Sequence, residues 1–129
     1  MQSFQSLGLR EEILAALPAI GLHQPTAIQQ EAIPHLITGM VDFIGLAQTG
    51  TGKTAAFGLP LIEQIQQQES TVQALIIVPT RELCLQIEQQ LKSFTAMMPG
   101  IRTLAVYGGA SIQGQLIGLK KKPHIVVAT

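Results

Sequence analysis

Four short, nearly continuous apolar runs constrain the fold of this chain more than any other feature. The runs lie at residues 43–47, 74–78, 103–107 and 125–128. Apolar residues that fill a short run without alternating are typical of strands covered on both faces, as in a parallel sheet. Helical patterns separate the runs, at residues 53–68, 81–95 and 111–120. Strand and helix therefore alternate, and the sequence predicts an α/β fold with a parallel sheet, right-handed crossovers and helices on both faces.

Two helical patterns precede the first of these runs. In residues 9–20 the apolar positions recur at helical spacing, Pro18 weakens the last turn, and Gly21 can end the helix. Thr26 is the predicted N-cap of a second helix that extends to about Pro34 or a little beyond. The third pattern, residues 53–68, is expected to be broken in places because it contains Gly58 and Pro60.

Composition bounds the class of protein. The chain has 129 residues, 47% of them apolar, which suffices for one domain with a sizeable core. Eight basic residues balance eight acidic ones, which excludes a polycation that holds nucleic acid by total charge. The single cysteine, Cys84, excludes a disulfide framework, and the three histidines lack ligand spacing, so we expect no histidine-bound metal. With no apparent signal peptide or membrane span, a cytoplasmic protein is expected.

Residues 47–54, with the sequence AQTGTGKT, lie between a predicted strand and a predicted helix. That context is the one a phosphate-binding P-loop requires. Gly50 and Gly52 allow a tight turn that aims backbone N–H groups inward. Lys53 brings a positive charge to the phosphates, and the hydroxyl of Thr54 is suited to Mg²⁺. The alternative is a loop of glycine and threonine in which Gly-Lys-Thr occurs by chance.

Several segments together resemble the DEAD-box family of RNA helicases. Residues 21–29 resemble the Q motif, and Phe4 lies 17 residues before Gly21, where the family has an isolated aromatic residue. The remaining matches are residues 47–54 (motif I), 79–83 (motif Ia), 108–109 (the GG motif) and Thr129, the first residue of motif Ib. The resemblance implies the first part of a RecA-like domain, with a Q-motif helical region at 1–40 and a P-loop α/β core at 41–129.

The resemblance also implies a set of site residues. ATP would be bound by Phe4, Gln24, Gln29, Gln48, Thr49, Gly50, Thr51, Gly52, Lys53 and Thr54. Lys53 and Thr54 would act in catalysis, and Thr54 would bind Mg²⁺ together with the nucleotide. RNA would be bound, mainly through its backbone, by Pro79, Thr80, Arg81, Gly108, Gly109 and Thr129.

Each assignment has a structural alternative. Gln29 reads adenine by resemblance, but it also completes a capping box with Thr26. Phe4 either stacks on adenine or anchors the N-terminal segment in the core. Thr80 is equally suited to be the N-cap of a helix, whereas Gly108 and Gly109 are also what a plain turn requires.

Two further positions are expected to have structural roles. Residues 120–122, three lysines, close a helix where cations complement its dipole, with RNA contact as the alternative. Cys84 is expected in the core, because it lies on the apolar face of its helix.

ATP hydrolysis needs a carboxylate for Mg²⁺. The only aspartate, Asp42, precedes the first apolar run, and no apolar run ends in Asp or Glu. We therefore expect these 129 residues to bind nucleotide without turnover and to bind RNA very weakly, as part of a parent ATP-dependent RNA helicase. The alternatives are a non-catalytic, nucleotide-gated binding module and another P-loop phosphotransferase.

By resemblance, missing strands would lie beside the P-loop strand, so an exposed apolar edge and self-association are expected.

Overall fold

The computed structural model describes residues 2–129, which form two compact units. The first contains the residues up to Gln64 together with Phe94–Met97, and the second contains Ile65–Ser93 and Met98–Thr129.

The first unit is helical. Its helices are α1 (Glu11–Ala16), α2 (Ala27–Ile37) and α3 (Lys53–Glu63), with short 3-10 helices at Phe4–Leu7 and Pro18–Ile20. Helix α2 begins where the sequence predicts, because Thr26 and Gln29 form a capping box. Helix α2 packs against α3, and Ile33, Leu59 and Ile62 are fully buried. Burial of such side chains, at about 1.5–3 kcal/mol each, is what stabilises helices this short.

Arg10 and Glu63 tie the start of α1 to the end of α3. The backbone N–H of Arg10 donates to Glu63 Oε2 at 2.8 Å, and Arg10 Nε lies 3.4 Å from Glu63 Oε1. The Arg10 guanidinium also donates to the backbone carbonyl of Glu63, one of the carbonyls that the end of a helix leaves without a partner.

The second unit is a three-stranded parallel sheet. Strands β1 (Ala74–Ile77), β2 (Thr103–Val106) and β3 (Ile125–Ala128) are arranged in the order β1-β3-β2. Ala74 and Thr103 are both in register with Ile125. Helices α4 (Arg81–Phe94) and α5 (Ile112–Lys120) follow β1 and β2, so strand and helix alternate. The predicted α/β class with a parallel sheet is confirmed.

Two polar side chains are buried in this second unit. His124 has no exposed surface, and its Nδ1 accepts from the backbone N–H of Arg102 at 3.0 Å. Its Nε2, 3.1 Å from the carbonyl of Gln67, is therefore the protonated nitrogen. The Cys84 thiol is fully buried and donates to the carbonyl of Val127 at 3.2 Å. Burial raises the pKa of this thiol, so Cys84 is the core residue that the sequence predicts.

The strand predicted at residues 43–47 is wrong. The described part of the first unit contains no strand, so this segment has no neighbour with which to form a hydrogen-bonded ladder. Ile44 and Leu46 are 90% and 92% exposed. The apolar run is present in the sequence, but a strand forms only where a partner satisfies its backbone.

Two helix boundaries also differ from expectation. Helix α3 continues through Gly58 and Pro60 and ends at Glu63, because both residues are buried and their packing outweighs their poor helix propensity. The pattern at residues 9–20 gives α1 and a separate 3-10 turn that starts at Pro18, since proline cannot donate the next helical hydrogen bond. Across residues 2–129, every helix is too short or too polar to cross a bilayer.

Candidate nucleotide and RNA sites

The loop at residues 47–54 has half of its carbonyl oxygens bound within the protein. Lys53 Nζ donates to the carbonyl of Ala47 at 2.8 Å, and Thr51 Oγ1 donates to that of Gln48 at 2.7 Å. The carbonyl of Thr51 accepts from Thr26 Oγ1 at 2.8 Å. The carbonyl of Gly52 accepts both the amide of Gln29, at 3.0 Å, and the first turn of α3. Four of the eight loop carbonyls are thereby satisfied within the protein.

The backbone N–H groups of the same loop, in contrast to its carbonyl groups, have no hydrogen-bond partner in the part of the chain that the structure describes. Across residues 2–129, the N–H groups of Thr49 through Thr54 donate no hydrogen bond. Gly50 and Gly52 adopt φ of +78° and +80°, which turns successive N–H groups into a concave arrangement. Helix α3 begins at Lys53 and adds the positive end of its dipole. This polarity fits an anion such as a phosphate, because the donors are free and the acceptors are occupied.

Gln29 fixes the loop to helix α2. Its Oε1 accepts from the backbone N–H of Thr26 at 2.9 Å, while its Nε2 donates to Gly52. The side chain has no exposed surface. A Cβ at Gly52 would collide with the Gln29 amide, so glycine is required there for contact as well as for its positive φ.

A cleft of about 580 Å³ opens beside this loop. It is lined by Thr26, Ala27, Ile28, Glu31, Leu46, Ala47, Gln48, Gly50 and Thr51. Residues 26–31 thus form one wall and residues 46–51 form the other. The volume lies in the range of small-molecule sites.

Lys53 is exposed, and Thr54 is half-buried in the first turn of α3. Phe4 is 3% exposed and therefore occupies the position of a core anchor, whereas Gln24 is exposed. Within the described chain, neither Phe4 nor Gln24 lines the cleft. The adenine contacts assigned to Phe4, Gln24 and Gln29 stay predictions.

The second unit brings the residues assigned to RNA to one edge of its sheet. Pro79, Thr80 and Arg81 follow β1, Gly108 and Gly109 follow β2, and Thr129 follows β3. Because the three strands are parallel, their carboxyl ends meet at the same edge. Thr80 is also the N-cap of α4, since its hydroxyl accepts from the N–H of Leu83 at 3.2 Å.

Arg81 lies over Gly109. A Cβ at Gly109, where φ is +89°, would stand 2.5 Å from Arg81 Nη1, whereas a Cβ at Gly108 would meet nothing within 4 Å. The Arg81 side chain is exposed, so its guanidinium is presented to solvent above this turn. The second glycine of the pair therefore makes room for the arginine.

Sequence reasoning missed two contacts that shape these sites. The hydroxyl of Thr26 binds the P-loop carbonyl of Thr51, although the residue was assigned only a capping role. Gln115 of α5 holds the turn after β2, because its side chain accepts from Tyr107 N at 3.0 Å and donates to Tyr107 O at 3.2 Å. Nothing in the spacing of these residues indicates either contact.

Carboxylates contribute little to the described sites. Among residues 2–129, no group of three or more His, Cys, Asp and Glu side chains is placed to hold a metal ion. Asp42 is exposed and precedes the P-loop. Glu31 lines the cleft beside the loop.

Comparison with known sequences agrees with this geometry. A family model described as DEAD/DEAH box helicase matches residues 26–129. The proteins called DEAD-box ATP-dependent RNA helicase CshA from Geobacillus kaustophilus (strain HTA426) and Bacillus cereus (strain ATCC 10987 / NRS 248) are each 45% identical to this chain over 129 residues. Those matches cover 100% of this chain, which spans only 27% and 24% of the two relatives.

Solved structures give the same result. A DEAD box protein from the hyperthermophile Methanococcus jannaschii aligns with a TM-score of 0.93 and 35% identity, over 100% of this chain and 35% of that one. The RNA helicase Prp28 from Chaetomium thermophilum, solved bound to ADP, aligns with a TM-score of 0.89 and 38% identity, over 100% of this chain and 32% of that one. The incomplete three-stranded sheet and its helices therefore correspond to part of a RecA-like domain, and the chain belongs to the DEAD/DEAH box helicase family.

Proposed function

We propose that this chain is the ATP-binding part of an ATP-dependent RNA helicase. One observation carries the proposal: four of the P-loop carbonyls are bound by the protein, while the N–H groups of Thr49 through Thr54 donate no hydrogen bond within the described chain. An arrangement of this polarity attracts a multiply charged anion and repels a cation. The names of the curated relatives and the ADP complex of Prp28 support a nucleotide as that anion.

Several residues of the loop would together bind a triphosphate. The N–H groups of Thr49 through Thr54 would bind phosphate oxygens, and Lys53 would leave the Ala47 carbonyl to add a charge-assisted hydrogen bond. The Thr54 hydroxyl would bind Mg²⁺ that arrives with the nucleotide. ATP, when bound, would supply a phosphoanhydride bond for hydrolysis in the parent protein.

Adenine recognition by Gln29 requires a local change. A carboxamide has two N–H donors and two acceptor lone pairs, and Gln29 uses one of each within the protein. The remaining pair matches the edge of adenine, but the side chain has no exposed surface. The base would therefore reach Gln29 only after α2 and the P-loop separate.

We propose that the carboxyl edge of the sheet in the second unit contacts the RNA backbone. Arg81 is exposed at this edge, whereas Arg102 precedes β2 and uses its guanidinium to bind the carbonyls of Gly100, Lys121 and Lys122. Thr80, Gly108, Gly109 and Thr129 flank Arg81 with hydroxyl and backbone groups of the kind that bind phosphate and sugar oxygens.

Titration with a fluorescent ATP analogue, in the presence of Mg²⁺, tests the nucleotide proposal. Lys53→Ala should weaken binding by about 10-fold to 100-fold, because charged hydrogen bonds contribute about 1.5–3 kcal/mol. Lys121→Ala, which removes an exposed lysine elsewhere, should leave affinity unchanged. Equal loss in both variants, or no binding by the unaltered chain, would refute a phosphate site in this loop.

Gln29→Ala should also reduce the preference for ATP over GTP.

A further inference from the structure

The turn that follows β2 is not held by its own backbone. Among residues 2–129, the N–H groups of Gly108, Gly109 and Ala110 donate no hydrogen bond, and the carbonyls of the two glycines accept none. Glycine loses more conformational freedom on folding than any other residue, so two in succession need contacts from elsewhere to stay ordered. The shape of this turn is therefore imposed from outside it.

Gln115, near the start of α5, supplies those contacts. Its Oε1 accepts from the backbone N–H of Tyr107 at 3.0 Å, and its Nε2 donates to the carbonyl of Tyr107 at 3.2 Å. The same Nε2 lies 3.4 Å from the carbonyl of Ala110. One side chain thus contacts both ends of the turn, and it binds Tyr107 through the same pair of hydrogen bonds that a neighbouring strand would make.

The position of Gln115 is itself fixed. Gly118 lies one turn further along the same face of α5, and a Cβ there would stand 2.6 Å from Leu104 Cδ1 of β2. The start of the helix is defined by Ser111, whose side chain accepts from the N–H of Gly114 at 3.2 Å. The Gln115 amide therefore reaches the turn from a helix that is capped and packed against the strand.

The turn held by Gln115 is the one over which Arg81 lies. A Cβ at Gly109, where φ is +89°, would stand 2.5 Å from Arg81 Nη1. In the part of the chain that the structure describes, the Arg81 guanidinium forms no ion pair that could fix it instead. The place of the guanidinium therefore depends on where the turn puts Gly109.

We propose that Gln115 is a positioning residue for RNA binding at this edge of the sheet. Its amide holds the turn, the turn keeps Gly109 beneath Arg81, and the guanidinium is thereby placed for a phosphate of the RNA backbone. The proposal rests on the RNA contact proposed above. A side chain that is already oriented loses less conformational freedom when it binds, so the order imposed by Gln115 adds to the affinity.

The alternative is that Gln115 only attaches α5 to β2. Gly118 already provides an attachment of that kind through Leu104. The two roles differ in a measurable way, because a positioning residue acts on RNA through Arg81. Any effect of a mere attachment would be independent of Arg81.

Amide NMR spectra of the isotope-labelled chain, titrated with a single-stranded oligouridylate at low salt, measure binding that is weak. Gln115→Met keeps the length of the side chain and removes the amide. It should weaken binding about threefold to tenfold and lower the salt dependence by roughly one phosphate contact. Gln113→Met should leave binding unchanged, because Gln113 is exposed on the same helix and its side chain makes no hydrogen bond within residues 2–129.

Arg81 provides the second arm of the experiment. Arg81→Gln should weaken binding to the same extent, and Gln115→Met added to it should cause little further loss. Additive losses, or full affinity in Gln115→Met, would overturn the positioning role and leave the RNA contact standing. Full affinity in Arg81→Gln, or no binding by the unaltered chain, would refute the RNA contact and the positioning role with it.

Measurements without RNA separate this role from a folding defect. Circular dichroism establishes that each variant is folded, and hydrogen exchange of the Tyr107 amide should be faster in Gln115→Met but not in Gln113→Met. Gln115→Asn, which keeps the amide one methylene shorter, replaces Gln115→Met if that variant does not fold, and the same results are expected of it. Unchanged exchange at Tyr107 in the Gln115 variants would overturn the proposal.

Discussion

At the residue scale, glycine is required at Gly52 for a reason that Gly50 does not share. Both residues have positive φ, but the Gly50 position has open space around it, whereas a side chain at Gly52 would displace the Gln29 amide. That amide is buried and binds the carbonyl of Gly52, so its displacement breaks one of the bonds that orient the loop. The two glycines therefore provide a matched pair of substitutions.

Gly52→Ala should lower the free energy of unfolding more than Gly50→Ala. Each variant incurs about 1 kcal/mol for a left-handed backbone. Gly52→Ala also loses the Gln29 hydrogen bond and leaves a buried amide unsatisfied, for a further 1–3 kcal/mol or so. Urea denaturation of the two variants provides the comparison, and equal midpoints would show that the Gln29 contact does not stabilise the loop.

Gly109→Ala should impair RNA binding through Arg81, whereas Gly108→Ala should not. A methyl group at Gly109 would displace the guanidinium, while one at Gly108 would meet nothing within 4 Å. Binding of labelled single-stranded RNA to Gly109→Ala should depend on salt less steeply, by roughly one phosphate contact. Adding Arg81→Gln to Gly109→Ala should cause little further loss, and additive effects would show that the two residues act separately.

At the element scale, the segment at residues 42–48 shows that an apolar run is not by itself a strand. Its neighbours in sequence, α2 and α3, are both formed, but Ile44 and Leu46 are almost wholly exposed. Unpaired backbone with exposed apolar side chains is prone to associate with other chains. We therefore expect the self-association predicted from the sequence to involve this segment.

The double variant Ile44→Lys and Leu46→Lys should reduce self-association of the chain. Both side chains point into solvent, so the replacements should leave the free energy of unfolding within about 0.5 kcal/mol. Light scattering as a function of protein concentration measures the association, and Leu85→Lys, at an exposed leucine of α4, is the control. Unchanged scattering in the double variant would show that the chain self-associates through a different surface.

At the scale of the whole molecule, the predicted sites separate between the two units. Every residue assigned to nucleotide lies in the first unit, and every residue assigned to RNA lies in the second. The chain also spans only about a quarter of the curated relatives that it matches. ATP binding by these 129 residues can therefore be tested separately from ATP hydrolysis.

The chain should bind ATP without hydrolysing it, even when RNA is added. Its only aspartate is exposed and precedes the P-loop, and the described residues hold no cluster of ligands for a metal ion. A P-loop enzyme needs a carboxylate to place Mg²⁺. A phosphate-release assay should give the same rate for the chain and for Lys53→Ala. RNA-stimulated release that Lys53→Ala abolishes would contradict the prediction.

Local sequence determined most of the helices and strands and where most of them begin. The capping box at Thr26, the N-cap Thr80 and the glycines of the P-loop act over three or four residues, so the sequence alone was enough to predict them. The family followed from the same short segments, because their order along the chain is specific.

Only the tertiary structure decided what those residues touch. Gln29 is closed between α2 and the P-loop, Phe4 is in the core, and Arg81 rests above Gly109. Residues 43–47 stay unpaired despite an apolar sequence. Each of these outcomes depends on residues distant along the chain, whose proximity is created by packing, whereas propensities and caps are set by immediate neighbours.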